Sequence, residues 1–177
     1  MGNSQALPLR VGDEVTLRME CARSDTGAAW NPVTASVLVF DPDRQTSGTA
    51  DGGTASALTD DARTESDGFW RGLSLVVEDA TTGQEYRTEV TAFAADTDTL
   101  TFGLLPYVVA AGDRYTIEGY PLVPQTAATM AGNVISYQVT PENGVTARPG
   151  RRVIIWTVDF GTDTFEQVWE LEVLPSL

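Results

Sequence analysis

Apolar and polar residues alternate along most of this chain, and that two-residue period limits it to extended structure. In DEVTLRMECA, Val15, Leu17, Met19 and Cys21 alternate with Thr16, Arg18 and Glu20. Near the other end, Phe165, Trp169, Leu171 and Val173 share one face, and Glu166, Glu170 and Glu172 share the other. One dry and one wet face is the signature of an antiparallel sheet. In RRVIIWTVDF, Ile154, Trp156, Val158 and Phe160 line one side while Val153 and Ile155 sit opposite, which predicts an interior strand.

Strands are predicted at 14–22, 34–41, 73–78, 85–94, 99–103, 113–118, 133–140, 151–160 and 164–174. ATTGQ at 80–84, ADTDT at 95–99 and GTDT at 161–164 carry the residues of tight turns and predict hairpins. One helical turn is expected within TDDARTESD, 59–67, where Thr and Asp can cap it. The fold class is therefore all-β.

The 177 residues suffice for one or two domains. Residues 8–44 supply two clear strands and 125–177 supply three, and neither piece stands alone. Joined, they approach the roughly 100 residues of an immunoglobulin-like antiparallel sandwich. Residues 45–124 carry four strands and an apolar set of their own: Leu73, Leu75, Val77, Val90, Phe93, Leu100, Phe102, Tyr115 and Ile117. The expected organisation is a discontinuous sandwich, 8–44 plus 125–177, whose chain leaves after FDPDR, builds an inserted β-module at 45–124, and returns through the proline-bracketed YPLVP. The competing arrangement is one sandwich of nine strands.

Charge and missing residues narrow the chemistry. The net charge is -14, the pI is about 4.1, and all 11 cations are arginines. Such a surface repels nucleic acid. No apolar run reaches bilayer length, and MGNSQALPLR lacks the apolar centre of a signal peptide, so neither membrane nor export is expected. With no histidine, the Ser-His-Asp and Cys-His constellations are excluded, and a lone cysteine cannot build a zinc site. Cys21 reads as a small core hydrophobe. No cofactor is implied. The acidic pairs Asp41/Asp43, Asp60/Asp61, Asp96/Asp98 and Asp159/Asp163 offer calcium-type oxygens without EF-hand spacing, and turn-capping is the commoner use of such aspartates.

The stretch GTADGGTASALTD, followed by DGFWRG, LSLVVEDATTGQEYRTEVTAF, DTDTLTF and AGDRYTIEG, resembles a small β-module that recurs in structural proteins of tailed bacteriophages. The resemblance rests on Ala57-Leu58-Thr59-Asp60 as a strand start, Phe69 and Trp70 before Gly72, Gly83 at a hairpin tip, and Gly112, Asp113, Tyr115 and Ile117 as the closing strand. GDEVTLRMECARSDTG, PGRRVIIWTVDFG and VWELEVLP resemble the first and last strands of the immunoglobulin-like domains in phage head and tail proteins. The resemblance implies a non-enzymatic virion component, in the head, the neck or connector, or the capsid decoration layer. It would be assembled in the host bacterial cytoplasm, bind other virion proteins (capsid, connector or tail), and form homo-oligomers. The alternative it leaves open is a carbohydrate- or receptor-binding module of a tail fibre or tail tip.

Two places are candidate contact surfaces. Trp30, in the turn GAAWNP, is the aromatic best placed to face a partner, and its plainer role is to cover a sandwich end. LLPYVVAA, 104–111, carries no charge, so Leu104, Leu105, Tyr107 and Val108 belong either to a buried crossover or to a docking surface.

Overall fold

The computed structural model describes residues 9–23 and 26–176. Met1–Pro8, Ser24, Asp25 and Leu177 lie outside them, and with them most of the MGNSQALPLR start and the first residue of the expected sandwich. The described chain is all-β, with no helix.

The described residues form thirteen strands: β1 (Leu9–Arg10), β2 (Val15–Glu20), β3 (Thr34–Thr49), β4 (Gly52–Gly53), β5 (Ala57–Thr59), β6 (Ser74–Glu78), β7 (Glu85–Ala94), β8 (Thr99–Phe102), β9 (Arg114–Ala127), β10 (Thr129–Ala131), β11 (Val134–Val139), β12 (Gly150–Asp159) and β13 (Thr164–Leu174). Ten belong to one mixed sheet in the order β1-β13-β12-β3-β9-β6-β7-β8-β5-β4, and three to a second sheet, β10-β11-β2. The β1–β13 pair is parallel. The predicted hairpins β6–β7, β7–β8 and β12–β13 are antiparallel.

The chain divides into two compact units, Met1–Asp41 with Gln125–Leu177, and Pro42–Pro124. β3 carries the chain from the first to the second, and β9 carries it back. Both are longer than the alternation predicts, because β3 runs through Pro42 and β9 through Pro121 and Pro124. The prolines are tolerated where a ladder has ended: β12 pairs β3 only as far as Phe40, and β6 pairs β9 only as far as Glu118. A missing N–H costs least on a stretch that has lost a neighbour.

In the first unit β12 lies between β13 and β3, as its apolar faces predict. Val37, Val39, Ile154, Trp156, Ile135 and Val139 are fully out of solvent. The buried charge here is Arg152, whose guanidinium donates to the carbonyls of Val145 at 2.9 Å and of Arg148 and Arg151 at 2.7 Å each. It thereby holds the turn-rich segment 141–149 onto the start of β12.

In the second unit all nine apolar residues expected at its centre are buried, together with Leu58 and Trp70. Val90 and Phe93 are three apart, which strict alternation would send to opposite faces. A bulge at Thr91 resolves this, since Val90 pairs Phe102 and Ala92 pairs Thr101. The opening GTADGGTASALTD is not a linker: it ends β3 and forms β4 and β5. Its glycines make room, because a Cβ on Gly48 would come within 2.5 Å of the Tyr115 hydroxyl, and one on Gly53 would run into the Ala57 carbonyl. No helical turn forms at 59–67. Asp60 spends its groups on a plain turn, its carbonyl accepting from Arg63 N at 2.9 Å and its Oδ1 from Ala62 N at 2.9 Å.

Candidate interaction surfaces

The first unit has an open groove of about 290 Å3, lined by the end of β2 (Met19, Glu20), Cys21, Ala22 and Trp30, the end of β12 (Val158) with Phe160, and the start of β13 (Phe165, Glu166, Gln167). The sequence builds it from two local devices. The β12–β13 turn closes with Phe160 N donating to the Asp163 carbonyl at 2.9 Å and Gly161 N to Asp159 Oδ1 at 2.6 Å, which sets Phe160 and Phe165 on its two arms. Trp30 is placed by its backbone N–H, which donates to the Cys21 carbonyl at 3.1 Å, beside the Ala22–Ala29 bridge.

Trp30 stacks on Phe160 with centroids 4.0 Å apart and meets Phe165 edge-on at 5.8 Å. Offset and edge-on pairs of this kind are worth about 0.5–1.5 kcal/mol beyond burial. The Arg23 guanidinium lies 5.6 Å from the Trp30 ring. The indole is half-buried and lines the groove. Phe165, expected on a dry face, is 50% exposed, and Val168 on the opposite face of the strand is 53% exposed. Only Leu171 and Val173 of the predicted apolar face are buried. Sequence alternation marks a side but cannot say where along a strand the covering sheet stops.

Little in the groove is reactive. Burial, and then the neighbouring Glu20 carboxylate, push the Cys21 thiol up, away from the thiolate that a nucleophile needs. Its walls are aromatic and aliphatic and its rim carries Glu20 and Glu166.

In the second unit the uncharged segment 104–111 lies along 54–55, with Leu105 N donating to the Ala55 carbonyl at 2.7 Å and Val109 N to the Thr54 carbonyl at 3.1 Å. This splits it. Leu105 and Val109 join the core, while Leu104 and Val108 are 83% and 66% exposed. Of the four residues singled out in this segment, Leu104 and Val108 are on the surface, Leu105 is not, and Tyr107 is half-buried against Tyr86 at 4.5 Å. Burial and the nearby Asp113 and Asp79 carboxylates push the Tyr107 phenol up to about 12. Asp113 locks the segment: its Oδ2 accepts from Ala110 N at 2.8 Å and its Oδ1 from Ala80 N at 2.9 Å.

Of the acidic pairs, Asp159 accepts within its turn and Asp60 serves both its turn and the core. Asp60 accepts the Tyr115 hydroxyl at 2.5 Å, and its carboxylate lies 3.4 Å from the Arg63 guanidinium. Among the described residues no group of three or more His, Cys, Asp or Glu side chains is placed to hold a metal ion. No protein-family profile, no curated protein and no solved structure matches this chain.

Proposed function

We propose that this chain is a non-enzymatic structural component of a tailed-phage virion, in the head, neck or decoration layer, that works through protein–protein contacts. In this reading the first unit is an immunoglobulin-like sandwich, with β10-β11-β2 as one sheet and β1-β13-β12-β3 as the other, and the second unit is the inserted module. The observation that carries it is a pairing of the motif residues. Asp60, from the Leu58-Thr59-Asp60 strand start, and Tyr115, from the Gly112-Asp113-x-Tyr115-x-Ile117 ending, form one buried hydrogen bond in a unit with its own core. Two of the residues on which the phage-module resemblance rests therefore meet inside this unit. The large apolar side chains left in solvent among the described residues, Val33, Met130, Phe165 and Val168 in the first unit and Leu104 and Val108 in the second, are suited to contacts with other subunits.

The test is assembly. Purified chain is expected to oligomerise or to be retained by capsid, connector or tail proteins encoded beside it, by sedimentation and by co-purification. A chain that stays monomeric and is retained by none of them loses the reading. The insertion is tested separately by replacing 46–122 with a short Gly/Ser bridge. The exit and return strands are neighbours, with Gln125 Nε2 donating to Ser36 Oγ at 3.1 Å and Ala128 N to the Ala35 carbonyl at 2.9 Å, so closure costs little. The bridged chain is expected to melt cooperatively, and loss of that transition would favour one continuous domain.

The half-buried Trp30 over an acidic-rimmed groove keeps a second reading in play, a carbohydrate- or receptor-binding module of a tail fibre or tip. Glycan-array binding that disappears in Trp30→Ala would replace the first reading with this one.

A further inference from the structure

Tyr86 and Tyr107 meet face to face in the second unit, with ring centroids 4.5 Å apart and planes 22° from parallel. Both rings stand on braced backbone. Tyr86 lies in β7, where it pairs Val77 of β6, and the turn joining those strands is closed by Gly83 N donating to the Asp79 carbonyl at 2.7 Å. Tyr107 lies in the segment 104–111, which Leu105 N and Val109 N tie to Ala55 and Thr54 and Ala110 N ties to Asp113. Asp113 also accepts from Ala80 N, so one carboxylate fastens both the turn that leads into β7 and the segment that carries Tyr107. The remaining tyrosines are placed differently. Tyr115 gives its hydroxyl to Asp60, Tyr120 packs against Phe69 and Trp70, and the Tyr137 hydroxyl accepts from Asn143 Nδ2 at 3.5 Å.

We infer that Tyr86 and Tyr107 form an intrachain oxidative cross-linking site, whose product is a carbon–carbon bond between the two rings, ortho to their hydroxyls. The oxidant is of the peroxide class, acting one electron at a time through a haem catalyst. Each phenol gives up one electron and its hydroxyl proton. The two radicals couple at their ortho carbons, and the hydrogen on each of those carbons moves to the neighbouring oxygen, which restores both phenols. The chain thus loses two hydrogens, and hydrogen peroxide takes the two electrons and two protons to become two waters. Contact between the rings replaces a bimolecular encounter with a unimolecular one. Coupling between copies is opposed by the net charge of -14 that each carries. The bond closes a loop of about 20 residues, so it restricts the unfolded chain as a disulfide does. In the folded chain it holds the segment 104–111, with its exposed Leu104 and Val108, against β7. The chemistry is the same whether or not the chain assembles into a virion.

The test treats the full chain with a small haem peptide and hydrogen peroxide. The expected products are the violet fluorescence of dityrosine and a monomer lighter by two hydrogens. Trypsin, cutting after Arg71, Arg87 and Arg114, should then release 72–87 and 88–114 joined through Tyr86 and Tyr107. The yield should fall by about tenfold or more in Tyr86→Phe, in Tyr107→Phe and in the urea-unfolded chain, where the contact is lost. Tyr137→Phe should leave it unchanged. The cross-linked monomer should melt about 5 °C or more above the untreated one. Equal yield from the unfolded chain would overturn the inference, because closeness in sequence and not the stack would then bring the rings together. So would dityrosine confined to dimers, a link made through Tyr115, Tyr120 or Tyr137, or oxidised chain that releases no joined peptides.

Discussion

In Pro42–Pro124 the largest side chains are put away: Trp70 and Tyr115 are buried, and Phe69 and Tyr120 pack edge-on against Trp70 at 4.7 and 5.8 Å. In Met1–Asp41 with Gln125–Leu177, Trp156 is equally buried, but Trp30, Phe160 and Phe165 gather around an open groove. Buried charge differs in sign as well. The second unit gathers backbone N–H groups with Asp60 and Asp113, and the first gathers backbone carbonyls with Arg152. Each solution satisfies loop backbone that no ladder reaches. The lesson is that a small β-unit can close itself with polar anchors and still leave apolar surface exposed: the first unit leaves Trp30, Phe160 and Phe165 around a groove, and the second leaves Leu104 and Val108 beside the stacked Tyr86 and Tyr107.

The contrast between buried and groove-facing tryptophans predicts the largest effect. Trp156→Ala should destabilise the first unit by about 4 kcal/mol, as deletion of a fully buried aromatic does, whereas Trp30→Ala should cost about 1 kcal/mol. Denaturant titration with resolved transitions measures both, and equal costs would erase the distinction drawn between core and groove. Trp156→Phe should recover much of the loss, because the Trp156 indole N–H has no hydrogen-bond partner in the structure.

Next comes the polar anchor of the second unit. Gly48→Ala forces a methyl against the Asp60–Tyr115 bond and should cost about 3 kcal/mol, combining overpacking with a disturbed buried hydrogen bond. Tyr115→Phe removes the donor without crowding and should cost about 1–2 kcal/mol. If Gly48→Ala melts like the parent chain, the close approach is not a constraint.

The smallest effect is alkaline. Burial, with the Asp60 hydrogen bond next, raises the Tyr115 phenol well above its usual value of 10.0, and Tyr107 is raised to about 12. A folded-state pKa above the unfolded one favours the protonated native form. That contribution is complete below pH 10 and is lost as pH climbs through about 12. The melting temperature should therefore fall across that window, and less steeply in Tyr107→Phe and Tyr115→Phe. A flat profile would place both phenols in solvent.

Much of the sheet was legible beforehand. Every long strand appears within a few residues of its predicted limits at one end at least, because alternation reports which side of a strand is dry. The misreadings have a common cause. Pro42, Pro121 and Pro124 suggest breaks when each residue is judged by its own donor, yet β3 and β9 continue through them where neighbouring ladders have ended. Short β4 and β5 hide in a stretch of glycine and threonine whose purpose is clearance for Asp60, Tyr115 and Ala57. The groove was half visible: Trp30 stands out in its turn, but Phe165 looked like core.

What the amino-acid order settles by itself is local, an all-β chain and its turns, which depend on neighbours two to four residues away; its acidic character and lack of histidine follow from composition alone. Which strand is left at an edge, which aromatic ring ends in solvent and which carboxylate meets which tyrosine are decided by tertiary pairing. Asp60 and Tyr115, or Trp30 and Phe165, are far apart in sequence, and only the closed ladder brings them within reach.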